Sequence, residues 1–532
     1  MLDLCNLAQF VDRSAILVKI QHYGHAVDDL KLALRCGYPK NLRFKAYQRL
    51  ASAHSAIGNC EESAETYKKL FQSLDEADLP IQKIKKMKND CVQAVKMVKS
   101  NKTTVTSKSE KPASLDLGQC TIHDKIKIKS TETRGRISVA RVPISAGEVI
   151  ISDIACLVSV SPGNREAHCY TCGRDTVAPL PSHVSASTCF CSPECRTRGL
   201  AWHVSQSKIT HFIRNQLDKP GNLEIPAFLA ALEFTIKNDF YTQLETFKNW
   251  SNRPTKENIP PHEKVLNMVK HFDTIELRMH FATSVLIHKL LKYILYIPTE
   301  VSLTQEKQLM LVICHQFAAI KSNIHTVCEL RNGSEGQLQI KPIGVAMFPD
   351  VALHINHSCN PNTFVIDVRD RQITIAARDI EEGEEITQIY LGHFGDTEKE
   401  KRQRLLEERY HFRCECEACQ GNFPSAQQCL EQCITFAETP NELLKKPMSL
   451  DELTALDSRN ENLKNQVENA LVVGSVDKAV EITIKRIKLI CEHLREPHIL
   501  YLMARMSLTN YMWCMHGNTS KWFKKPKIPV YF

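Results

Sequence analysis

Cysteine, histidine, asparagine and tyrosine are the residues of this chain whose spacing could do chemistry. Cys414-x-Cys416-x-x-Cys419 places three thiols within six residues, and Cys169-x-x-Cys172 is followed by Cys189, Cys191 and Cys195, then Trp202-His203. Thiolate pairs two residues apart can grip one zinc ion, which prefers four sulfur or imidazole ligands in a tetrahedron. Three thiols cannot close that tetrahedron, so the 414–419 group either draws a fourth ligand from elsewhere or remains three buried thiols. A second polar group is Asn356-His357-Ser358-Cys359-Asn360-Pro361-Asn362, with Tyr390 about thirty positions on. Among apolar strand-formers such a run would leave donors and acceptors unpaired unless it closed on itself or on a ligand. A structured polar site is expected there rather than a surface loop.

The elements that must position these groups can be read from periodicity. Ile343, Val345, Met347, Val351, Leu353 and Ile355 give the run an apolar strand context, interrupted by Gly344 and Pro349. After it, Phe364, Val365, Ile366 and Val368, then Ile373 and Ile375, alternate like paired strands around an Asp370-Arg371 turn. Upstream, Ile122, Ile126, Ile128, Val139, Val142, Ile144, Val149 and Ile150 read as strands around Arg134-Gly135-Arg136 and Ala146-Gly147-Glu148. Residues 208–321 are helical by pattern, with Leu309 to Ile320 the last run. Their aromatics (Phe240, Tyr241, Phe247, Trp250) read as core or, less simply, as a cleft.

At both ends the pattern is helical. Leu17, Ile20, Ala26, Val27, Leu30, Ala33 and Leu34 precede a Gly37-Tyr38-Pro39 break. Phe44, Tyr47, Leu50, Ala51, Ile57, Ala64, Tyr67 and Phe71 follow it. This spacing fits degenerate helical-hairpin repeats or an ordinary helical hairpin. Residues 100–118 are polar without periodicity and read as a linker. From residue 424, Leu463, Val467, Leu471, Val476, Val480, Ile484, Ile487, Leu500, Tyr501, Met503 and Met506 mark amphipathic helices. Cys429 and Cys433 read as core there.

Composition narrows the class. A chain of 532 residues should hold several domains. With 43% hydrophobic and 24% charged residues it has the composition of a globular protein. The net charge of +8 does not by itself call for nucleic acid. Its clusters (Lys83, Lys85, Lys86, Lys88, Lys96, Lys99; Lys521, Lys524, Lys525, Lys527) read as solvated helix faces and a basic tail, or as a docking patch for nucleic acid or an acidic protein. No long apolar run or leader is seen, so neither a membrane span nor a secretory signal is expected. Twenty-one cysteines then point to thiols and metal in a reducing compartment.

Asn356-His357-Ser358-Cys359, Gly383-Glu384-Glu385-Ile386-Thr387-Gln388-Ile389-Tyr390 and Cys414-x-Cys416-x-x-Cys419 together resemble the SET-domain protein lysine methyltransferases. Cys169 to His203 resembles a MYND finger, and the whole order is similar to the SET and MYND family in its tetratricopeptide-bearing form. The resemblance implies an α+β multidomain chain: a split SET β-fold with an inserted MYND zinc finger and a helical insert, flanked by tetratricopeptide-like and C-terminal helices. It divides the chain into a repeat-like region 1–98, a linker 99–119, the SET N-terminal part 120–167, the finger 168–207, the insert 208–321, the SET core 322–396, the post-SET segment 397–423 and a helical lobe 424–532. It implies S-adenosylmethionine bound by Gly135, Arg136, Asn323, Asn356, His357, Tyr390 and Phe412, with Tyr390 catalytic. Position 138 departs from the family, being serine where an apolar residue is usual. It implies one zinc on Cys169, Cys172, Cys191 and Cys195, and another on Cys359, Cys414, Cys416 and Cys419. The second finger site departs from the family, since Ser182, Ser185 and Ser207 stand where cysteines belong; His183, Cys189 and His203 are its weaker candidates.

The function implied is methyl transfer from S-adenosylmethionine to lysines of histones or other proteins, in nucleus and cytoplasm, with protein partners at the repeat-like and finger regions. The rival expectation is a SET and MYND scaffold or co-repressor with little turnover. Sequence-specific nucleic-acid binding is not expected, because neither cysteine group carries a base-reading helix pattern.

Overall fold

The computed structural model describes residues 4–100, 121–122, 124–132, 134–176, 179–182, 188–199, 264–265, 268, 284–285, 302–332, 338–368 and 370–518. Residues 101–118 of the expected linker, most of the expected helical insert, and His183 and His203 of the second finger site lie outside these residues, while Ser100 is the last residue of a helix. Two compact units divide the rest.

The first unit is made of helices α1 (Leu4–Lys19), α2 (Tyr23–Arg35), α3 (Arg43–Ala56), α4 (Cys60–Ser73) and α5 (Ile81–Ser100). Ala26, Leu30, Ala33, Ala51 and Leu74 are fully buried, so small residues let successive helices approach closely. Gly37 and Gly58, at φ +91° and +80°, end α2 and α3 in the left-handed region that other residues avoid. Three expected core residues are not core. Ile20 and Ile57 fall just past their helices and are exposed. Phe71 points away from Leu70 and Leu74, and its ring carries the Lys88 ammonium 4.7 Å from its centroid.

Next along the chain come strands β1 (Thr121–Ile122), β2 (Ile126–Thr131), β3 (Gly135–Ala140), β4 (Val149–Ile154), β5 (Leu157–Val160), β6 (Leu180–Pro181) and β7 (Cys189–Phe190), which belong to the second unit except for Leu180 of β6. Then come α6 (Leu303–Asn323), β8 (His325–Asn332), β9 (Leu338–Met347), α7 (Pro349–His354), β10 (Asn356–His357), β11 (Thr363–Val368), β12 (Arg371–Ala376) and β13 (Thr387–Gln388). One sheet runs β1-β4-β12-β11 and another β5-β9-β8. Both join strands from either side of the insert: Ser152 pairs with Ile373, and Leu157 with Met347. The chain therefore makes a split sheet whose halves are far apart in sequence.

Around the polar run the structure corrects the expected strand. Residues 349–354 form α7, not an extension of β9. Pro349 pre-sets the first turn, and the buried Asp153 carboxylate accepts the N–H groups of Asp350 and Val351 at 2.7 and 3.0 Å. The later hairpin is as expected, except that Arg371 already pairs with Val368 and so belongs to β12 rather than to the turn.

Helices α8 (Lys399–Tyr410), α9 (Glu417–Gln420) and α10 (Ala426–Gln432) lead to α11 (Leu450–Val472), α12 (Val476–His493) and α13 (Ile499–His516). The last three cover the hairpin: Ile366, Ile373 and Ile375 share a core with Ile487, Leu508 and Tyr511. Met506, expected in that core, faces out at 51% exposure. Cys429 and Cys433 are buried as expected, Cys433 lying just past the end of α10. Among the described residues no helix is long and apolar enough to cross a membrane.

Candidate active site and metal centres

The polar run crosses itself. Strand β10 pairs in parallel with β13, Asn356 opposite Thr387 and His357 opposite Gln388, and the Ser358 N–H reaches the Gln388 carbonyl at 3.0 Å. Asn362, 2% exposed, fastens the crossing: its amide donates to the Glu385 carbonyl at 2.8 Å and accepts the Thr387 N–H at 2.9 Å. The run thus satisfies most of its own polar groups, as a buried segment must.

Asn356 turns outward to the glycine turn, where its amide donates to the carbonyls of Arg136 (3.1 Å) and Arg134 (3.3 Å). Gly135 sits there at φ +64°, with open space where a Cβ would stand. Ser138, the family departure, is fully buried, and its hydroxyl donates to the His354 carbonyl at 2.8 Å. A hydroxyl here therefore ties β3 to the end of α7.

His357 is the centre of the knot. Burial depresses its pKa to about 4, so the ring is neutral. Its Nδ1 accepts the Tyr390 backbone N–H at 2.9 Å, which leaves the proton on Nε2, 3.3 Å from the Cys359 sulfur. One imidazole therefore links a thiol to the tyrosine backbone. The Tyr390 hydroxyl donates to the Ile355 carbonyl at 2.6 Å, and desolvation raises its pKa well above the ordinary phenol value. The phenol stays neutral with its proton engaged. Its ring lies 5.4 Å from His357 and 5.1 Å from Tyr410, and Phe412 stands 6.0 Å from His357.

Asn323 is the last residue of α6, and its amide donates back to the Ala319 carbonyl at 2.7 Å. That bond places it at a helix end; it does not join it to the knot.

Two groups of four cysteines are drawn together. Cys359, Cys414, Cys416 and Cys419 have all their sulfur atoms within 4.8 Å of one another, and so do Cys169, Cys172, Cys191 and Cys195. Zinc–sulfur bonds of about 2.3 Å imply tetrahedron edges of about 3.8 Å. The Cys359–Cys419 and Cys172–Cys191 pairs stand at 3.6 Å, and none of the described cysteines forms a disulfide. The donor sets fit zinc. Cys189 stays outside its group: its thiol donates to the His168 carbonyl at 3.4 Å.

A SET-domain family model matches residues 135–391, which spans the glycine turn, the knot and Tyr390. The human protein described as protein-lysine N-methyltransferase SMYD4 is 21% identical over 510 residues, covering 79% of this chain and 62% of that protein. The chain carries a match to the SET domain and is similar over most of its length to a SET and MYND protein. Two further relatives show higher identity over shorter stretches. Human histone-lysine N-methyltransferase SMYD3 is 34% identical over 104 residues, covering 20% of this chain and 22% of its own length. The Arabidopsis thaliana histone-lysine N-methyltransferase ASHR1 is 31% identical over 122 residues, covering 23% of each. The chain thus spans about three-fifths of the SMYD4 length.

Several residues of this site were not singled out by sequence reasoning. Arg134 pairs with Glu385 and faces the His357 carbonyl at 3.5 Å; its place beside Gly135 was the available signal. Tyr410, whose ring stands 5.1 Å from that of Tyr390, is another. Gln403 grips Cys414 by both backbone groups, at 2.7 and 3.0 Å. Arg505 holds Asn360 Oδ1 at 2.9 Å, a contact between α13 and the knot that local sequence does not signal.

Proposed function

We propose that this chain is an S-adenosylmethionine-dependent protein-lysine N-methyltransferase acting on lysines of histones or other proteins. The observation that carries the reading is the His357 relay, which fixes the Tyr390 backbone to a metal-ligating cysteine while the Tyr390 hydroxyl is held on Ile355. The methyl donor would supply an electrophilic methyl group and a nearby positive charge, which favours a neutral lysine amine. The residues that would hold it are the backbone at Gly135 and Arg136, the Asn356–His357 segment and the Phe412 ring. Gly135 leaves room for close backbone approach. Tyr390, with its O–H donated to the Ile355 carbonyl, keeps its oxygen lone pairs for weak contacts with polarised C–H groups and for orienting the amine. The chain's contribution is alignment, which can lower a barrier by several kcal/mol. Asn323, which the resemblance adds to the cofactor residues, has its amide N–H on the Ala319 carbonyl.

The names of the relatives support this reading. A scaffold with little turnover is the alternative, and one experiment separates them: labelled methyl transfer from S-adenosylmethionine to proteins of a cell extract. Wild type should label protein, and Tyr390→Phe should lower the rate roughly 100-fold, since that is the scale of loss from small misplacement. Equal labelling by both chains, or none by wild type, would reject the assignment.

A further inference from the structure

Among the largest fully buried side chains is an arginine, Arg402 on α8. Its guanidinium donates through Nη1 to the Thr397 carbonyl, and Nη2 lies 3.9 Å from the Cys419 sulfur. Its Nε has no partner, and among the described residues no carboxylate pairs with it. The stem is accommodated by Gly392, where a Cβ would stand 3.1 Å from the Arg402 Cγ. A buried guanidinium without an anion is a costly arrangement. The neighbouring groups that can become anionic are the thiols of the knot, Cys359 (0% exposed) and Cys419 (3%). A divalent zinc with four thiolates has two net negative charges in a site this dry, so each charge explains the other's burial.

We infer that Arg402 is the counter-charge of the knot's zinc site, offsetting the negative charge of its thiolates and setting how firmly the metal is held. It is a positioning residue, reaching the metal only through its ligands. The inference rests on reading the knot cysteines as a zinc site and not on the transferase activity. The finger group supplies an internal comparison. Arg198 Nη2 lies 3.5 Å from the Cys195 sulfur, but Arg198 is exposed, where solvent already screens the charge.

The test is competition between the full chain and a chromogenic chelator, read as zinc equivalents released, with the knot equivalent identified as the one missing in Cys416→Ser. Arg402→Met, which keeps the stem and removes the charge, should weaken the knot zinc about 10-fold or more, as loss of a ligand's supporting partner typically does. Arg402→Lys should recover most of that affinity. Arg198→Met should leave both equivalents within about twofold of wild type, as expected of an exposed charge pair. The inference is overturned if Arg402→Met retains wild-type affinity, or if Arg402→Lys loses as much as Arg402→Met, since the charge is then not what matters. A wild-type chain that holds no zinc at the knot would overturn it together with the reading of the cluster.

Discussion

Neutral histidines hold several backbone joints of this molecule, and His498 shows the consequence most plainly. It is 1% exposed; its Nδ1 accepts the Leu500 N–H at 3.1 Å, so Nε2 carries the proton and faces Thr439 Oγ1 at 3.0 Å. Thr439 in turn donates to the Thr435 carbonyl. Burial lowers the His498 pKa to about 4 from 6.5, so the unfolded chain binds the proton more readily than the folded one. Its contribution is fully present above pH 6.5 and is lost as pH falls toward 4, by at most roughly 3 kcal/mol. Urea unfolding between pH 7 and 4.5 should show this loss, and His498→Gln should flatten the slope; an unchanged slope would contradict it. At this scale the sequence was informative where a residue type has one strong chemistry. The cysteine clusters at 169–195 and 414–419 and the Asn356-His357 pair could be picked out by type and spacing, whereas Cys359 as a fourth ligand, and Cys191 and Cys195 rather than Cys189, came only from the family resemblance. The tautomer of His357 could not be, because a carbonyl or N–H from a distant strand decides it. The buried hydroxyl of Ser138, which read as a departure from the family, turned out to have a partner in the His354 carbonyl.

The elements were readable from periodicity where one face meets a core, as in α12 and in the β11–β12 hairpin. They were misread where a local device overrides it. Strand-like Val351 lies in α7 because Pro349 and the distant Asp153 carboxylate favour a helical turn. The pairing of β5 with β9 across the insert has no local signal at all. It leaves one sharp steric mark: a Cβ on Gly344 would stand 2.3 Å from the Ser159 carbonyl oxygen, which is backbone and cannot swing aside. Gly344→Ala should therefore destabilise the chain by about 1–3 kcal/mol, the usual range for overpacking. Thermal or urea unfolding checks this, and a variant as stable as wild type would mean the two strands are less closely opposed than described.

Across the whole molecule, the parts of the site come from segments that only the fold brings together. The glycine turn belongs to the first half of the split sheet, the knot and Tyr390 to the second. The segment holding Cys414, Cys416, Cys419 and Phe412 follows Tyr390, and α13 braces the crossing through Arg505. Four thiolates around one zinc would close this arrangement, so metal binding and assembly of the methyl-donor pocket should be one event. Calorimetric titration with S-adenosylhomocysteine, run beside zinc analysis, measures that coupling directly. Wild type should bind, whereas Cys416→Ser, short of one zinc but with its helices intact by circular dichroism, should not. Undiminished affinity in a Cys416→Ser chain verified to lack that zinc would contradict the account.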